Sequence, residues 1–354
     1  KETNESDERV KLNPTENEEM TRSDDLLDKK EYTLYTKRWL IVIFYCTSVT
    51  ASALGNLGFS AITTVIQDIY GVSDLESQLL MLVFVIFYIP LMVPANYIIE
   101  NKGIAIPILI ASFAMLIGAW VRMFVNYNFY FLLAGQTLMA LGQPFVVTAP
   151  PKIAGLWFSD GEQALATTLG SLAQPIGAVI GFLLPLPFIS DDDGKSADGE
   201  SKFLFYVLIQ SIVITVLGAP IIFLIRNKPP TPPSASAVEL ESIKIQSQLK
   251  SIWALLKNPA FLAILGTFSC LFSVYITLGA TVGQLTDQFG FGPRDNSIFG
   301  SVFATFGIIG SFIHAIPLDI YQKYRLQYII IGFTSIVTCV GVRFGLNSGS
   351  FWIC

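Results

Sequence analysis

Residues 135–188 read GQTLMALGQPFVVTAPPKIAGLWFSDGEQALATTLGSLAQPIGAVIGFLLPLPF. Two apolar spans are joined here by a short polar elbow, Lys152 to Gln163. In the first span Gly135 and Gly142 lie seven apart, as do Gln136 and Gln143, so each pair shares a helical face. In the second, Gly170, Gln174, Gly177 and Gly181 keep the rhythm of a smooth helical groove interrupted by one amide. Glycines in such spans let helix backbones approach. An amide in mid-span is costly in hydrocarbon unless it bonds a neighbour or faces a water-filled cavity.

Composition sets the class. Hydrophobic residues make up 52% of the chain and charged residues only 14%, too few to cover a soluble surface of this size. Nine apolar spans are expected: 39–66, 79–99, 104–125, 129–150, 165–188, 203–225, 261–283, 298–318 and 326–346. Each is close to the ~20 residues that cross ~30 Å of hydrocarbon as a helix, and none alternates with the period of two that a barrel needs. The reading is an all-α membrane protein.

Basic residues set the orientation. Lys37, Arg38, Lys102, Lys152, Arg226, Lys228, Lys257, Lys323 and Arg325 fall on one set of loops, and the other set is acidic. The positive-inside rule then places the N-terminus in the cytoplasm, in the plasma membrane or an organelle membrane. Residues 1–37 are expected to form a disordered acidic tail, since Lys1 to Glu31 has almost no bulky apolar residues. Residues 38–226 form a six-helix half. Residues 227–258 form a cytoplasmic linker, with an extended Pro229–Ser234 tether and an amphipathic helix carrying Ile245, Leu249, Ile252 and Leu256. Residues 259–354 begin a second half.

An internal repeat supports the halves. Arg122 and Arg343, Asn126 and Asn347, and Tyr130 and Phe351 each differ by 221 positions, and Glu100 and Asp319 by 219. On that register spans ten to twelve of a twelve-helix protein are not in this sequence.

The elbow and its surroundings resemble one family. Pro150-Pro151-Lys152-Ile153-Ala154, Trp157-Phe158, Glu162, Ala166-Thr167-Thr168, Gly177 and Gly181-Phe182-Leu183-Leu184-Pro185 are similar to the feline leukaemia virus subgroup C receptor-related transporters. These are solute carrier family 49 of the major facilitator superfamily. Tyr70-Gly71-Val72-Ser73, Tyr88-Ile89-Pro90-Leu91 and Gly118-Ala119-Trp120-Val121 extend the resemblance. It implies the facilitator fold, truncated to about nine helices, and alternating access for choline, ethanolamine, haem or another micronutrient. In its choline carriers an aromatic cage includes a tryptophan on helix one, a position that falls on Asn56. Its helix-four glutamine matches Gln143, its helix-five Asn-Gln pair falls on Gln174-Pro175, and its helix-seven tyrosine falls at Ile276, beside Tyr275.

The residues themselves point to the same four candidates for solute binding: Asn56, Gln143, Gln174 and Tyr275, polar groups near mid-span. Asn56 is expected to share a polar helix face with Ser60, Thr63 and Gln67, and Pro175 to free a carbonyl toward a cavity. The four cysteines are scattered, His314 stands alone, and no carboxylate falls inside a span core. Neither catalysis, a metal nor a cofactor is therefore expected, nor is proton coupling. No basic face suggests nucleic acid. The expected protein is a monomeric facilitated uniporter for a small organic solute. The alternative is a non-transporting receptor or sensor on the same fold.

Overall fold

The computed structural model describes residues 32–242, 253–321 and 324–348. Its helices are α1 (Lys37–Leu57), α2 (Thr63–Tyr70), α3 (Asp74–Lys102), α4 (Ala105–Val121), α5 (Phe129–Val147), α6 (Pro150–Trp157), α7 (Asp160–Leu183), α8 (Gly199–Gly218), α9 (Pro220–Leu224), α10 (Ala235–Ser242), α11 (Pro259–Asp287), α12 (Pro293–Tyr321) and α13 (Tyr324–Ser348). Among the described residues nine helices or helix pairs are long and apolar enough to cross a membrane. The tail 1–31 and most of the expected amphipathic helix, 243–252, lie outside the described residues, as do Phe351 and the side chains of Asp319, Arg343 and Asn347 from the repeat. Residues 32–36, assigned above to the tail, run beside the linker instead: Thr33 N–H donates to the Pro232 carbonyl, and the Tyr35 and Thr231 hydroxyls are 3.1 Å apart.

Local signals set the helix ends. Ser73 and Glu76 form a reciprocal capping box at the start of α3, and Asn128 and Asn258 cap α5 and α11 through their side-chain oxygens. Gly71 ends α2 in the left-handed region (φ 62°), which a side chain would resist.

Small residues then set the packing. Gly170, Gly177 and Gly181 lay α7 against α1, where a Cβ on Gly177 would strike the Thr50 carbonyl and Ala53. Thr50 Oγ1 donates to the Ala173 carbonyl across the same seam (3.1 Å). Without a water-driven hydrophobic force between helices, such close backbone approach supplies the van der Waals contact that holds them together. The glycine groove thus does pack helices, while Gln174 between the glycines is only half-buried.

The elbow binds the end of the bundle that carries the chain's basic residues. Arg38 pairs with Glu162 (3.1 Å) and lies over the rings of Trp39 and Phe158; Lys152 pairs with Glu100 (2.7 Å). Ser236 at the start of α10 donates to Asp160 and accepts from Gln163 Nε2. The linker is thereby seated on the elbow.

Span one differs from expectation. It is not one helix: α1 stops at Leu57, a 3₁₀ turn covers Ser60–Ile62, and α2 restarts at Thr63. The cause lies far along the chain. Tyr206 Oη donates to the Gly58 carbonyl (2.5 Å), and a Cβ on Gly58 would strike Gln210 Nε2. The break removes Ser60, Thr63 and Gln67 from the face of Asn56. Ser60 Oγ donates to the Gly279 carbonyl (2.6 Å) and Gln67 Nε2 to Ser77 Oγ (2.6 Å). Pro175 also behaves differently, because α7 runs unbroken through it, and the carbonyl it leaves free is that of exposed Ser171.

The first six spans and the last three meet at one end. Among the described residues their mutual hydrogen bonds are Ser60 to Gly279 O, Gln284 Nε2 to Asp74 O and Ser77 Oγ, and Arg294 N–H to the Asp191 carboxylate. At the other end α11 is exposed or half-buried from Pro259 to Thr277. Close by the joined end, buried Asp193 accepts from Lys202 Nζ (2.6 Å) and from the Ser190 backbone and hydroxyl. Burial opposes its ionisation, yet these donors hold its carboxyl below the usual range. The sign follows: the stability this ion pair contributes is complete above the unfolded carboxyl pKa of about 3.9 and is lost as pH falls through the lower folded value. Melting temperature in detergent is expected to drop on this acid limb in the wild type, and Asp193→Asn is expected to flatten the drop while lowering stability at neutral pH. An unchanged acid limb in the variant would refute the assignment.

Candidate functional site: a cavity between the two helix groups

A cavity of about 430 Å³ lies between the first six spans and the last three. All four candidate side chains line it: Asn56 from the last turn of α1, Gln143 from α5, Gln174 from α7 and Tyr275 from α11. Ile276, beside Tyr275, lines it too.

The amides are poised rather than satisfied. Asn56 Oδ1 is fully buried and has no hydrogen-bond partner among the described residues. Among the described residues the side chains of Gln143 and Gln174 make no hydrogen bond either, although Gln143 is only 7% exposed. Gln136, two turns away from Gln143 on the same face of α5, shows the contrast: it is wholly buried and bonded to Arg122, Gly55 O and Leu80 O. The two glutamines that share a face therefore do different work, one joining helices and the other standing in the cavity wall.

Six aromatic rings stand in a wall that is otherwise largely aliphatic. Tyr275 stacks on Phe303 of α12 (centroids 5.5 Å, 24° between planes), and Phe272 lies 6.0 Å from Tyr275. Phe84 and Tyr88 of α3 and Phe182 of α7 are the other rings that line it. Hydropathy could not single out these rings, because a phenylalanine facing lipid and one facing a cavity read alike. The available signal was spacing: Phe84 and Tyr88 are four apart, and Phe268, Phe272 and Tyr275 step by four and three along one face.

No lining residue is Asp, Glu, Lys, Arg or His. Such a wall can hold a small solute through cation–π attraction and amide dipoles. Lone His314 lies outside it, with Gln327 Nε2 donating to its ring Nδ1. No group of three or more metal-binding side chains exists among the described residues.

Nine membrane-length helices or helix pairs in two groups, with a cavity between them, define a multi-pass helical membrane protein. The sequence profile of the Major Facilitator Superfamily matches residues 43–354, and the chain belongs to that superfamily. Among curated relatives, it is 26% identical over 327 residues to the choline/ethanolamine transporter flvcr2a of Danio rerio, covering 90% of this chain and 69% of that one. It is 25% identical to the choline/ethanolamine transporter FLVCR1 of Mus musculus (89% and 60% covered) and 25% identical to FLVCR2 of Homo sapiens (90% and 61% covered). The resemblance drawn from the elbow thus extends along the chain, which spans about three-fifths to two-thirds of the length of these relatives. Two solved structures share the fold. A bacterial homolog of the human lysosomal transporter Spinster aligns with a TM-score of 0.57 at 16% identity, covering 82% of this chain and 64% of its own. The D-xylose-proton symporter aligns with a TM-score of 0.56 at 9% identity, covering 79% and 69%.

Proposed function

We propose that the protein moves a small organic cation of the choline or ethanolamine type by alternating access, as a monomeric facilitated uniporter. One observation carries the reading: the cavity between the two helix groups sets six aromatic rings and three unbonded amides in an otherwise largely aliphatic wall, with no charged side chain among the described residues. An ammonium group finds ring faces and carbonyl dipoles there, worth about 0.5–2 kcal/mol per ring contact. Haem suits the site less well, since its carboxylates would meet no cationic partner in the wall. The names of the curated relatives agree with the cation class. If basic loops lie in the cytoplasm, the joined end faces outward and the cavity opens inward.

Uptake of radiolabelled choline and ethanolamine by cells expressing the protein tests this. The expected result is saturable uptake that follows the solute gradient and changes less than about twofold when a proton gradient is imposed at constant membrane potential, because the wall holds no carboxylate or histidine among the described residues. Accumulation driven by the proton gradient would overturn the uniporter mechanism. Tight binding without any uptake would favour the receptor reading instead.

A further inference from the structure

Arg122 is a full charge buried to 0% exposure, and no carboxylate pairs with it among the described residues. Its Nη1 donates to two amide oxygens, Gln136 Oε1 (3.2 Å) and Gln210 Oε1 (2.9 Å), and its guanidinium lies 5.5 Å from the Phe59 ring centre. An amide whose oxygen is engaged must turn its nitrogen the other way. Gln136 Nε2 consequently donates to the Gly55 carbonyl and also to Leu80 O, both at 3.1 Å. Gln210 Nε2 donates to Tyr206 Oη (3.3 Å), and Tyr206 donates in turn to the Gly58 carbonyl.

Of the three carbonyls reached from Arg122, two are those of Gly55 and Gly58. They bracket Asn56 and Leu57, the pair at the end of α1 that lines the cavity. Burying an arginine without a counter-ion is costly, and an apolar side chain would pack this interior more cheaply. The cost is matched by a geometric result: both neighbouring carbonyls are pinned where the helix unwinds, so the Asn56 amide is presented at a fixed angle although nothing bonds to its own oxygen.

We propose that Arg122 is a positioning residue for the solute cavity, orienting Gln136 and Gln210 so that the α1 break holds Asn56 and Leu57 in the wall. The proposal rests on the cavity being the solute site.

Two readouts separate it from a role in folding. The first is uptake KM against maximal rate for choline and ethanolamine. The second needs no solute: the rate at which a polar maleimide labels Leu57→Cys, in a background with the native cysteines replaced by serine and in permeabilised membranes. Tyr206→Phe removes the bond to Gly58 and the one from Gln210 but little volume, and it decides the matter even where Arg122→Met does not fold. Both variants are expected to raise KM about fivefold or more, the scale of one lost hydrogen bond, with maximal rate changed less than about twofold. Labelling at residue 57 should rise by a similar factor, and Arg122→Lys, still able to donate to both amides, should restore most of each value. Lowered melting temperatures with unchanged KM and labelling in Tyr206→Phe would overturn the proposal. If the wild type takes up neither solute while labelling still rises, the positioning role stands and the cation reading of the cavity fails.

Discussion

Gly177→Leu is expected to leave almost no folded protein. The Cβ of any residue here would lie 2.7 Å from Ala53 Cβ and 2.9 Å from Thr50 Cα, and closer still to the Thr50 carbonyl. Backbone cannot step aside as a flexible side chain can, so α7 and α1 must separate along the seam that also holds the Thr50–Ala173 bond. Overpacking of this kind costs about 3 kcal/mol or more, a large part of the stability of a marginally stable protein. Size-exclusion profiles and melting curves of the detergent-solubilised variant check it. A monodisperse peak with an unshifted melting temperature would show that the seam is more yielding than its geometry says.

The second large effect concerns Gln143. Replacing it with Leu keeps much of the volume and removes the amide. Since that amide bonds nothing among the described residues, stability without solute is expected to change by less than about 1 kcal/mol. Solute affinity should fall about tenfold, one polar contact of about 1–2 kcal/mol. Solute-induced shifts in melting temperature, read beside the apo value, separate the two quantities. A lowered apo melting temperature with the solute-induced shift intact would remove Gln143 from the site and make it a helix-joining residue like Gln136.

Much of this architecture was legible in the residues because hydrocarbon is a demanding solvent. It forbids unpaired polar groups, so amides at mid-span stood out, and Asn56, Gln143, Gln174 and Tyr275 do share one cavity. Capping signals at Ser73 and the glycine rhythm of α7 were equally local and could be read directly. The break in span one could not. Its cause is a hydrogen bond from Tyr206, 148 residues away, while Ser60, Thr63 and Gln67 prolong the helical spacing of Asn56 as if nothing happened. Arg122 was visible as half of a repeated pair, and its bonds to Gln136 and Gln210 depend on three helices meeting. The aromatic wall was hidden by the same solvent that exposed the amides, since rings are at home in lipid.

The hydrogen bonds that join the two helix groups have an electrical consequence. Three of the four use neutral side chains and backbone, and the fourth is the Asp191 carboxylate on a backbone N–H near the surface. Arg122, the deeply buried cation, is fastened wholly within the first six spans. On the proposed cycle, breaking the joined end and exposing the cavity on the other face drags no fixed charge of the described residues through the interior, and return of the empty carrier should be indifferent to voltage. The membrane potential would act on a loaded cation instead, at about 2.3 kcal/mol per 100 mV for a single charge crossing the full field. If the proposed cycle holds, the described helices contribute no gating current of their own, and the solute and the membrane set the polarity of transport.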